Sequence, residues 1–290
     1  GAQEGRFFHG YYGCYCYLPL YVFCGDHLLV AKLRRSNIDA SAGAVAEVER
    51  IVTQIRARWP QVRIVLRADS GFARDELMGW CESNDVDYVL GLARNPRLGD
   101  EIATELAAAR AEVERTGEPA RRFKEFRYRT RKSWSCARRV VGKAECLVGG
   151  SDTEPSPNPR FVVTSLRPDE WAPKPLYERL YCARGEMENR IKECQLDLFA
   201  DRTSARTMRA NQLRLWFASM AYVLLAALRR IALPATRLAR ATAGTIRLKL
   251  LKIGALVRVS VRRVTVAMAS GHPWQQDWAI AHRALAAAAA

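Results

Sequence analysis

The sequence lacks the short motifs that mark common zinc and nucleotide sites. None of its eight cysteines stands in a Cys-x-x-Cys pair, so a zinc ribbon or finger is not predicted. The chain contains no Gly-x-Gly-x-x-Gly segment and no Gly-rich loop ending in Lys-Ser or Lys-Thr, which excludes the usual dinucleotide and P-loop patterns. Eight cysteines in 290 residues are also too sparse for a disulfide scaffold. We expect reduced, buried thiols.

Long hydrophobic runs are absent as well. The longest apolar stretch, from Trp216 to Leu228, has thirteen residues and is flanked by arginines. A helix that crosses a bilayer needs about 20 residues. We therefore expect a buried core helix over residues 204–233, no membrane partner, and no secretory signal.

Acidic residues are few relative to basic ones. The 46 Lys and Arg outnumber the 30 Asp and Glu, which gives a formal net charge of +16. Apolar residues make up 49% of the chain, so it can build a core, and disorder as the main state is excluded. The excess of positive charge indicates a polyanionic partner, with nucleic acid first and an anionic membrane surface second.

The first third of the chain alternates between strand and helix patterns. Aromatic and β-branched residues over 6–33 predict strands, with a hairpin turn at Gly25-Asp26. Apolar residues at helical spacing over 40–59 predict a helix that Pro60 ends. Three further elements follow: a buried strand over 62–68, a helix over 73–84 and a strand over 87–92. This order is typical of an α/β fold.

In the rest of the chain the sequence pattern changes twice. A helix over 101–116 precedes strands over 123–129, 134–148 and 161–164, with a Pro/Ser loop over 151–159. Two helices, over 176–198 and 204–233, come next. A strand-like pattern of apolar residues with interleaved basic residues covers 246–268. The alanine tail over 286–290 is expected to fray. We predict four regions: core over 1–94, a β-rich insertion over 95–168, return of the core over 169–233, and a basic C-terminal region over 234–290.

An aspartate stands at the end of a predicted strand. Leu66-Arg67-Ala68-Asp69 leads into the turn Ser70-Gly71-Phe72, and ligands of open α/β sheets bind at the carboxyl ends of strands. One interpretation of Asp69 is therefore a functional carboxylate. The other is a helix cap or an Asx-turn, which the same spacing permits.

A second motif lies on a predicted helix. Tyr181, Arg184, Glu188 and Gln195 fall on one stripe at i, i+3 and i+4 spacing. Glu186 points roughly 200° away from Glu188 on such a helix, so only one of the two glutamates can face a shared site. The alternative interpretation is a solvated charged face.

Basic residues crowd the predicted insertion, and tryptophans stand among them. Basic side chains neutralise phosphates, and aromatic rings stack on unpaired bases. The alternative is a soluble cationic surface. The basic residues are Arg121, Arg122, Arg127, Arg129, Arg131, Lys132, Arg138 and Arg139, and the tryptophans are Trp134 and Trp171. We predict DNA contacts at Arg127, Arg129, Arg131 and Lys132.

Taken together and in order, these segments resemble the DDE-type transposases of bacterial insertion sequences. The closest resemblance is to the 1380-type insertion-sequence family, DDE domain group 1, and it covers roughly residues 3–265. It rests on the Tyr-x2-Arg-x3-Glu spacing of the helical motif and on three segments: Gly10–Tyr21, Arg67–Phe72 and Glu188–Glu193.

The resemblance implies a ribonuclease-H-like core interrupted by a mainly β insertion. It also implies two-metal phosphoryl transfer that cuts and joins transposon ends, with Mg²⁺ or Mn²⁺ held by three carboxylates. Asp69 would be the second acid and Glu188 the third. Tyr181 and Arg184 would contact DNA phosphate and orient Glu188. The lysine that the family carries further along the helix is Gln195 here, and Lys192 would take its place as a phosphate contact.

The first acid of the family has no counterpart in this sequence. In the family it ends the first core strand, just upstream of the segment that matches residues 1–5. The resemblance therefore implies an N-terminally truncated transposase that lacks this strand and is inactive alone. Asp26, in a hairpin turn, and Asp39, before a helix, are the only early aspartates, and neither ends a predicted strand.

The expected partner is double-stranded DNA, both transposon ends and target, with a homodimer on DNA also implied. The implied location is the bacterial cytoplasm, at the nucleoid. Two other functions stay open: a non-catalytic DNA-binding protein or transposition inhibitor, and a ribonuclease-H-like nuclease or resolvase that acts on branched DNA.

Overall fold

The computed structural model describes residues 2–148 and 154–289, and the chain forms two compact units. The terminal unit combines Gly1–Asn37 with Met187–Ala290, and the central unit is Ile38–Glu186. The start of the predicted loop over 151–159 and the last residue of the predicted tail lie outside the described residues. The predicted division into four regions stays a prediction.

Strands and helices alternate through the first half of the chain, and helices dominate the second. The strands are β1 Phe7–His9, β2 Cys14–Cys16, β3 Leu20–Cys24, β4 His27–Lys32, β5 Val65–Ala68, β6 Asp87–Leu92, β7 Ala120–Tyr128, β8 Arg138–Leu147, β9 Ser156–Pro157, β10 Arg160–Thr164, β11 Ala255–Val259 and β12 Val264–Met268. The helices are α1 Ala44–Arg58, α2 Asp75–Ser83, α3 Pro96–Glu101, α4 Ala103–Thr116, α5 Pro173–Pro175, α6 Gly185–Lys192, α7 Met208–Ala232, α8 Ala243–Ile246 and α9 Gln275–Ala289. Short 3₁₀ turns cover Ser70–Phe72 and Cys182–Arg184, and π-helical turns cover Leu176–Tyr181, Glu193–Asp197 and Arg247–Leu251.

The central unit is built on one mixed sheet. Its strand order is β5-β6-β10-β8-β7, with the short β9 paired to β8. β5 and β6 are parallel, and the other neighbours are antiparallel. This α/β arrangement is compatible with a ribonuclease-H-like fold. The strands predicted as an insertion, β7, β8 and β10, continue the same sheet as β5 and β6.

Both faces of this sheet are covered, as the continuous apolar runs of its strands require. On one face, Leu77, Met78 and Cys81 of α2 join Leu90 of β6 in the larger core, together with residues of α1, α3 and α4. On the other face, a second cluster contains Val89 and the helical segment that starts at Leu176. The predicted α/β alternation over residues 40–92 is confirmed.

The terminal unit consists of hairpins and helices. β1 pairs with β2, β3 with β4 and β11 with β12, each antiparallel. The β3–β4 turn falls at Gly25-Asp26, as predicted, because Gly25 adopts a positive φ of 56° that a glycine tolerates. Helix α7 packs against the β3–β4 hairpin through Leu215 and Tyr222.

Helix α7 is not the buried core helix that its sequence predicts. Its 25 residues bury one face only, and Phe217 and Leu224 on the other face are 62% and 69% exposed. Within residues 2–148 and 154–289 it is the one helix with the length and composition of a membrane span. Core helices of soluble proteins can share those properties, so the expected lack of a membrane partner stays a prediction.

Three smaller expectations also change. The region from Ala243 to Leu251 is helical rather than extended, and the β11–β12 hairpin behind it is exposed on both faces. The alanine tail continues α9 as far as Ala289 instead of fraying. All eight cysteines are free, as expected, but Cys14, Cys24, Cys136 and Cys182 are exposed rather than buried.

Candidate functional site

Asp69 stands where the sequence predicts it, directly after β5. Its backbone is extended, with φ −76° and ψ −174°, and its Oδ1 accepts a hydrogen bond of 2.8 Å from the N–H of Gly71. The Asx-turn interpretation is therefore correct. The residue is nevertheless exposed, and within the described ranges its carboxylate makes no other hydrogen bond. Capping thus leaves Oδ2 available to a ligand.

Gly91 allows Tyr181 to approach Asp69. A Cβ atom built on this glycine of β6 would lie 2.5 Å from Tyr181 Oη, 2.9 Å from the Ser70 nitrogen and 3.2 Å from the Asp69 carbonyl carbon. The absence of a side chain at Gly91 therefore makes room for the phenol hydroxyl beside the Asp69–Ser70 backbone. Two residues from distant parts of the sequence meet at the carboxyl end of β5.

A hydrogen bond and ring contacts hold the Tyr181 segment on the sheet. Arg67 of β5 donates through Nη1 to the Leu180 carbonyl oxygen at 2.8 Å. The rings of Tyr177 and Tyr181 lie 5.5 Å apart, and Tyr177 is buried. The segment is a π-helical turn, a form that often occurs at functional sites.

Arg184 shares a face with Tyr181, as the sequence predicts, although the geometry is not that of a regular α-helix. The guanidinium carbon of Arg184 lies 5.2 Å from the Tyr181 ring centroid, within cation–π range. Cys182–Arg184 is a 3₁₀ turn, in which residues three apart lie one above the other. The structure therefore brings Asp69, Tyr181 and Arg184 together in the central unit.

Glu188 and Lys192 lie on α6, and both are exposed. Glu186 is exposed too, so burial does not distinguish the two glutamates. The boundary between the two units falls inside this helix. Glu188 and Lys192 belong to the terminal unit, whereas Asp69 belongs to the central unit.

The two early aspartates are each engaged by an arginine. Asp26 forms an ion pair with Arg190 in the terminal unit. Asp39 forms an ion pair of 2.8 Å with Arg74 and accepts hydrogen bonds from Ser41. Burial opposes the charged form of Asp39, but these hydrogen bonds outweigh it and lower the pKa of the carboxyl to about 2. Neither aspartate ends a strand.

A three-ligand metal site is not formed by the residues described. Over 2–148 and 154–289, no group of three His, Cys, Asp or Glu side chains is placed to hold a metal ion. Among these residues, neither Asp69 nor Glu188 belongs to such a group.

The eight basic residues that the sequence singles out in the predicted insertion divide into two groups. One group is neutralised by carboxylates: Arg121 by Glu178, Arg122 by Glu112, Arg138 by Asp75 and Glu82, and Arg139 by Glu125. The other group consists of the four predicted DNA contacts, all exposed. Arg127 and Arg129 donate to backbone carbonyl oxygens, of Ala137 and Trp134, and no ion pair is recorded in the described part of the chain for Arg131 or Lys132. The second group is the one able to meet phosphates.

The two tryptophans that the sequence singles out differ in burial. Trp134 is 4% exposed and packs edge-on against Tyr128, with ring centroids 5.8 Å apart. Trp171 is half-buried against the second core cluster of the central unit. Their large apolar area stabilises the core, so burial removes Trp134 from base stacking, whereas stacking by Trp171 stays a prediction.

Sequence reasoning missed a cavity in the terminal unit that has several arginines in its lining. A cavity of about 750 Å³ is lined by Gln195 together with Arg6, Arg202, Arg214 and Tyr21. The Tyr21 hydroxyl is buried and has no hydrogen-bond partner among the described residues, and burial raises the pKa of this phenol. These residues come from distant segments, so no local pattern in the sequence connects them.

Comparison with known families decides the class of protein. The model of the family described as transposase DDE domain group 1 matches residues 1–290. The chain belongs to this family. A comparison with curated proteins finds no match.

Membership of the DDE transposase domain family has three direct consequences. The family points to a transposase, an enzyme that cleaves and transfers DNA strands. DNA is then the substrate, and the family generally uses a divalent metal. The mixed sheet of this transposase domain agrees with that assignment, with Asp69 at the carboxyl end of β5.

Proposed function

We propose that this DDE transposase domain binds DNA by its phosphates and contributes Asp69 and Glu188 to phosphoryl transfer at transposon ends. The observation that carries the proposal is the meeting of three groups in the central unit. The Tyr181 hydroxyl lies beside the Asp69–Ser70 backbone, and the Arg184 guanidinium lies over the Tyr181 ring. A carboxylate with a phenol and a guanidinium donor beside it suits a phosphodiester, whose oxygens accept charge-assisted hydrogen bonds.

The roles follow from the chemistry of each side chain. Arg184 and Tyr181 donate to phosphate oxygens, and the uncapped oxygen of Asp69 is a hard ligand. Glu188 and Lys192, on the helix that follows, supply the second carboxylate and a further phosphate contact. The ribonuclease-H-like core and the 1380-type family belong to the same proposal, supported by the motifs rather than by the fold alone.

The residues present do not fit a complete two-metal site. Such a site clamps the attacking and leaving oxygens and is held by three acids in the family that the sequence resembles. Over the described ranges, no three-residue group that could hold a metal ion is present, and both early aspartates are paired with arginines. We therefore propose that this chain alone neither cuts nor joins DNA, even with Mg²⁺ or Mn²⁺ supplied.

The incomplete set of acids also favours a second candidate function. A chain with exposed basic side chains and an incomplete set of acids suits a non-catalytic DNA-binding protein or an inhibitor of transposition. The homodimer on DNA and the nucleoid-associated, cytoplasmic location stay predictions from the resemblance.

One experiment separates binding from catalysis. The full chain is incubated with a fluorescent duplex at increasing salt, and with supercoiled plasmid in Mg²⁺ or Mn²⁺. We expect salt-dependent binding and no nicking. Absence of binding at low salt would contradict the DNA proposal. Nicking that Asp69→Asn abolishes would instead show that the set of acids is complete.

A pair of matched variants tests the site itself. Arg184→Ala removes the guanidinium over Tyr181, whereas Arg179→Ala removes an exposed arginine of the same helical segment. We expect Arg184→Ala to weaken duplex binding several-fold more than Arg179→Ala does. Equal losses would mean that only the total charge matters and that the three-residue site has no special role.

A further inference from the structure

Helix α7 has two largely apolar seams, and only one of them is buried in the terminal unit. The inner seam is buried in the terminal unit and consists of Asn211, Leu215, Ala218, Tyr222, Leu225 and Ala232. The outer seam consists of Leu213, Phe217, Met220, Leu224, Ala227 and Ile231. The outer seam repeats at alternating steps of four and three throughout, and the inner seam does so as far as Leu225. Helices use this spacing when they pack along their length.

The outer seam has the exposure of an unpaired interface. Leu213, Phe217, Met220, Leu224 and Ile231 are between 42% and 69% exposed. Trp216 and Val223, beside the seam, are 53% and 48% exposed, so the apolar strip is more than one side chain wide. Single apolar residues on a surface are ordinary, but a continuous strip of this kind marks an interaction site.

The strip forms one wall of a groove. Met220, Val223 and Leu224 face Leu28 and Val30 of β4 across a cavity of about 510 Å³. A concave apolar groove beside a helix accepts the anchor side chains of another helix, which recur at i, i+3, i+4 and i+7.

The positive charges beside the strip indicate which kind of helix it can bind. Helix α7 contains no Asp or Glu, and Arg209, Arg214 and Arg230 are exposed at its two ends. A second copy of α7 laid parallel or antiparallel on the strip would bring arginines against arginines. An amphipathic helix with acidic residues beside its apolar seam would instead meet all three cations.

We propose that the outer seam of α7 and the groove along β4 bind an amphipathic helix with acidic flanks. This interaction is separate from DNA binding, and it does not require the proposed transposase site. The arginines steer the approach of the helix, and the apolar anchors supply most of the binding free energy.

The test uses two synthetic helical peptides of about three heptads each. Both carry leucine along the seam, and one has glutamate and the other lysine at the flanking positions. Each peptide is labelled and titrated with the full chain by fluorescence anisotropy. We expect saturable binding of the glutamate peptide that weakens with salt, and at least tenfold weaker binding of the lysine peptide.

Variants of the chain localise the binding. Leu224→Ser and Phe217→Ser should each weaken binding of the glutamate peptide at least tenfold. Both side chains are more than half exposed, so thermal unfolding should not change. Leu256→Ser is the matched control, because Leu256 is 58% exposed on β11, outside α7. It should bind the peptide as the unmodified chain does.

Four results would overturn the proposal. The first is equal binding of the two peptides, and the second is unchanged binding by both α7 variants. The third is a dimer in sedimentation velocity that Leu224→Ser dissociates, because a second copy would then occupy the seam. The fourth is Leu224-dependent binding to vesicles containing anionic lipid, because the occupant would then be a membrane surface.

Discussion

Arg131 and Arg138 lie seven residues apart in the central unit, yet the structure uses them in opposite ways. Arg131 is exposed in the loop between β7 and β8, with no ion pair within residues 2–148 and 154–289. Arg138 is 3% exposed, lies 2.6 Å from Asp75 and 2.6 Å from Glu82, and sits over the Trp134 ring. We therefore expect positive charge in the sequence to contribute to DNA binding only where the fold leaves it without carboxylate partners.

Burial explains the difference. A guanidinium taken out of water must be paired, or the desolvation cost is not recovered. Around Arg138, burial disfavours the charged forms of Glu82 and Asp75, but hydrogen bonds that include those from Arg138 outweigh this and lower the pKa of both carboxyls. Tyr88 completes the network by donating to Glu82. Arg138 therefore stabilises the central unit and is not available to phosphate.

The largest effect should come from breaking this buried network. Arg138→Ala leaves Asp75 and Glu82 without their shared cation, and removing one partner of such a pair costs about 3 kcal/mol. Urea unfolding of the purified chain measures this loss. Arg131→Ala is the matched control and should change the free energy of unfolding by less than about 0.5 kcal/mol. Similar values for both variants would contradict the comparison.

The pH dependence of stability should depend on the same residue. Because the pKa values of Asp75 and Glu82 are lowered in the folded state, their contribution is complete above the ordinary values of 3.8 and 4.5 and is lost as the pH falls below them. Unfolding followed from pH 7 downward should show a steep loss of stability in that acidic range. The slope should be shallower in Arg138→Ala. An unchanged slope would assign the acid sensitivity to other carboxylates.

Replacing the exposed basic residues of the β7–β8 loop should change DNA affinity and leave stability unchanged. Each phosphate contact contributes about 0.9 to the slope of log affinity against log salt. Replacing both Arg131 and Lys132 by alanine should therefore reduce this slope by about 2, with unchanged thermal stability. Titration of a fluorescent duplex at several salt concentrations measures it. A slope equal to that of the unmodified chain would exclude the β7–β8 loop from the interface.

The smallest effects are expected at Arg122, which is exposed but paired with Glu112 at 3.1 Å. Exposed pairs contribute about 0–1 kcal/mol, so Arg122→Ala should barely change stability. Because Glu112 already neutralises this arginine, we also expect a smaller change in the salt slope than either residue of the β7–β8 loop produces. A change as large as that of Arg131→Ala would mean that surface pairing does not divide the two groups.

Local pattern predicted much of the fold near the site. The β3–β4 hairpin, α1, β5, α2 and β6 follow from alternation, helical spacing and turn residues, which are properties of neighbours in the sequence. The segment over 246–251 is a counterexample, because its alternating basic and apolar residues adopt a helix. There, packing of Ile246 and Leu250 in a core of the terminal unit outweighs the strand-like pattern of the sequence.

The sequence alone determined the class of this protein, because the family model matches residues 1–290 by sequence and needs no structure. The sequence also establishes the excess of positive charge in the chain. Only the tertiary structure decided which cations are free, that Gly91 admits Tyr181 beside Asp69, and that one seam of α7 faces outward. These facts depend on residues far apart in the chain, whose burial and pairing arise only when the sheet and helices pack.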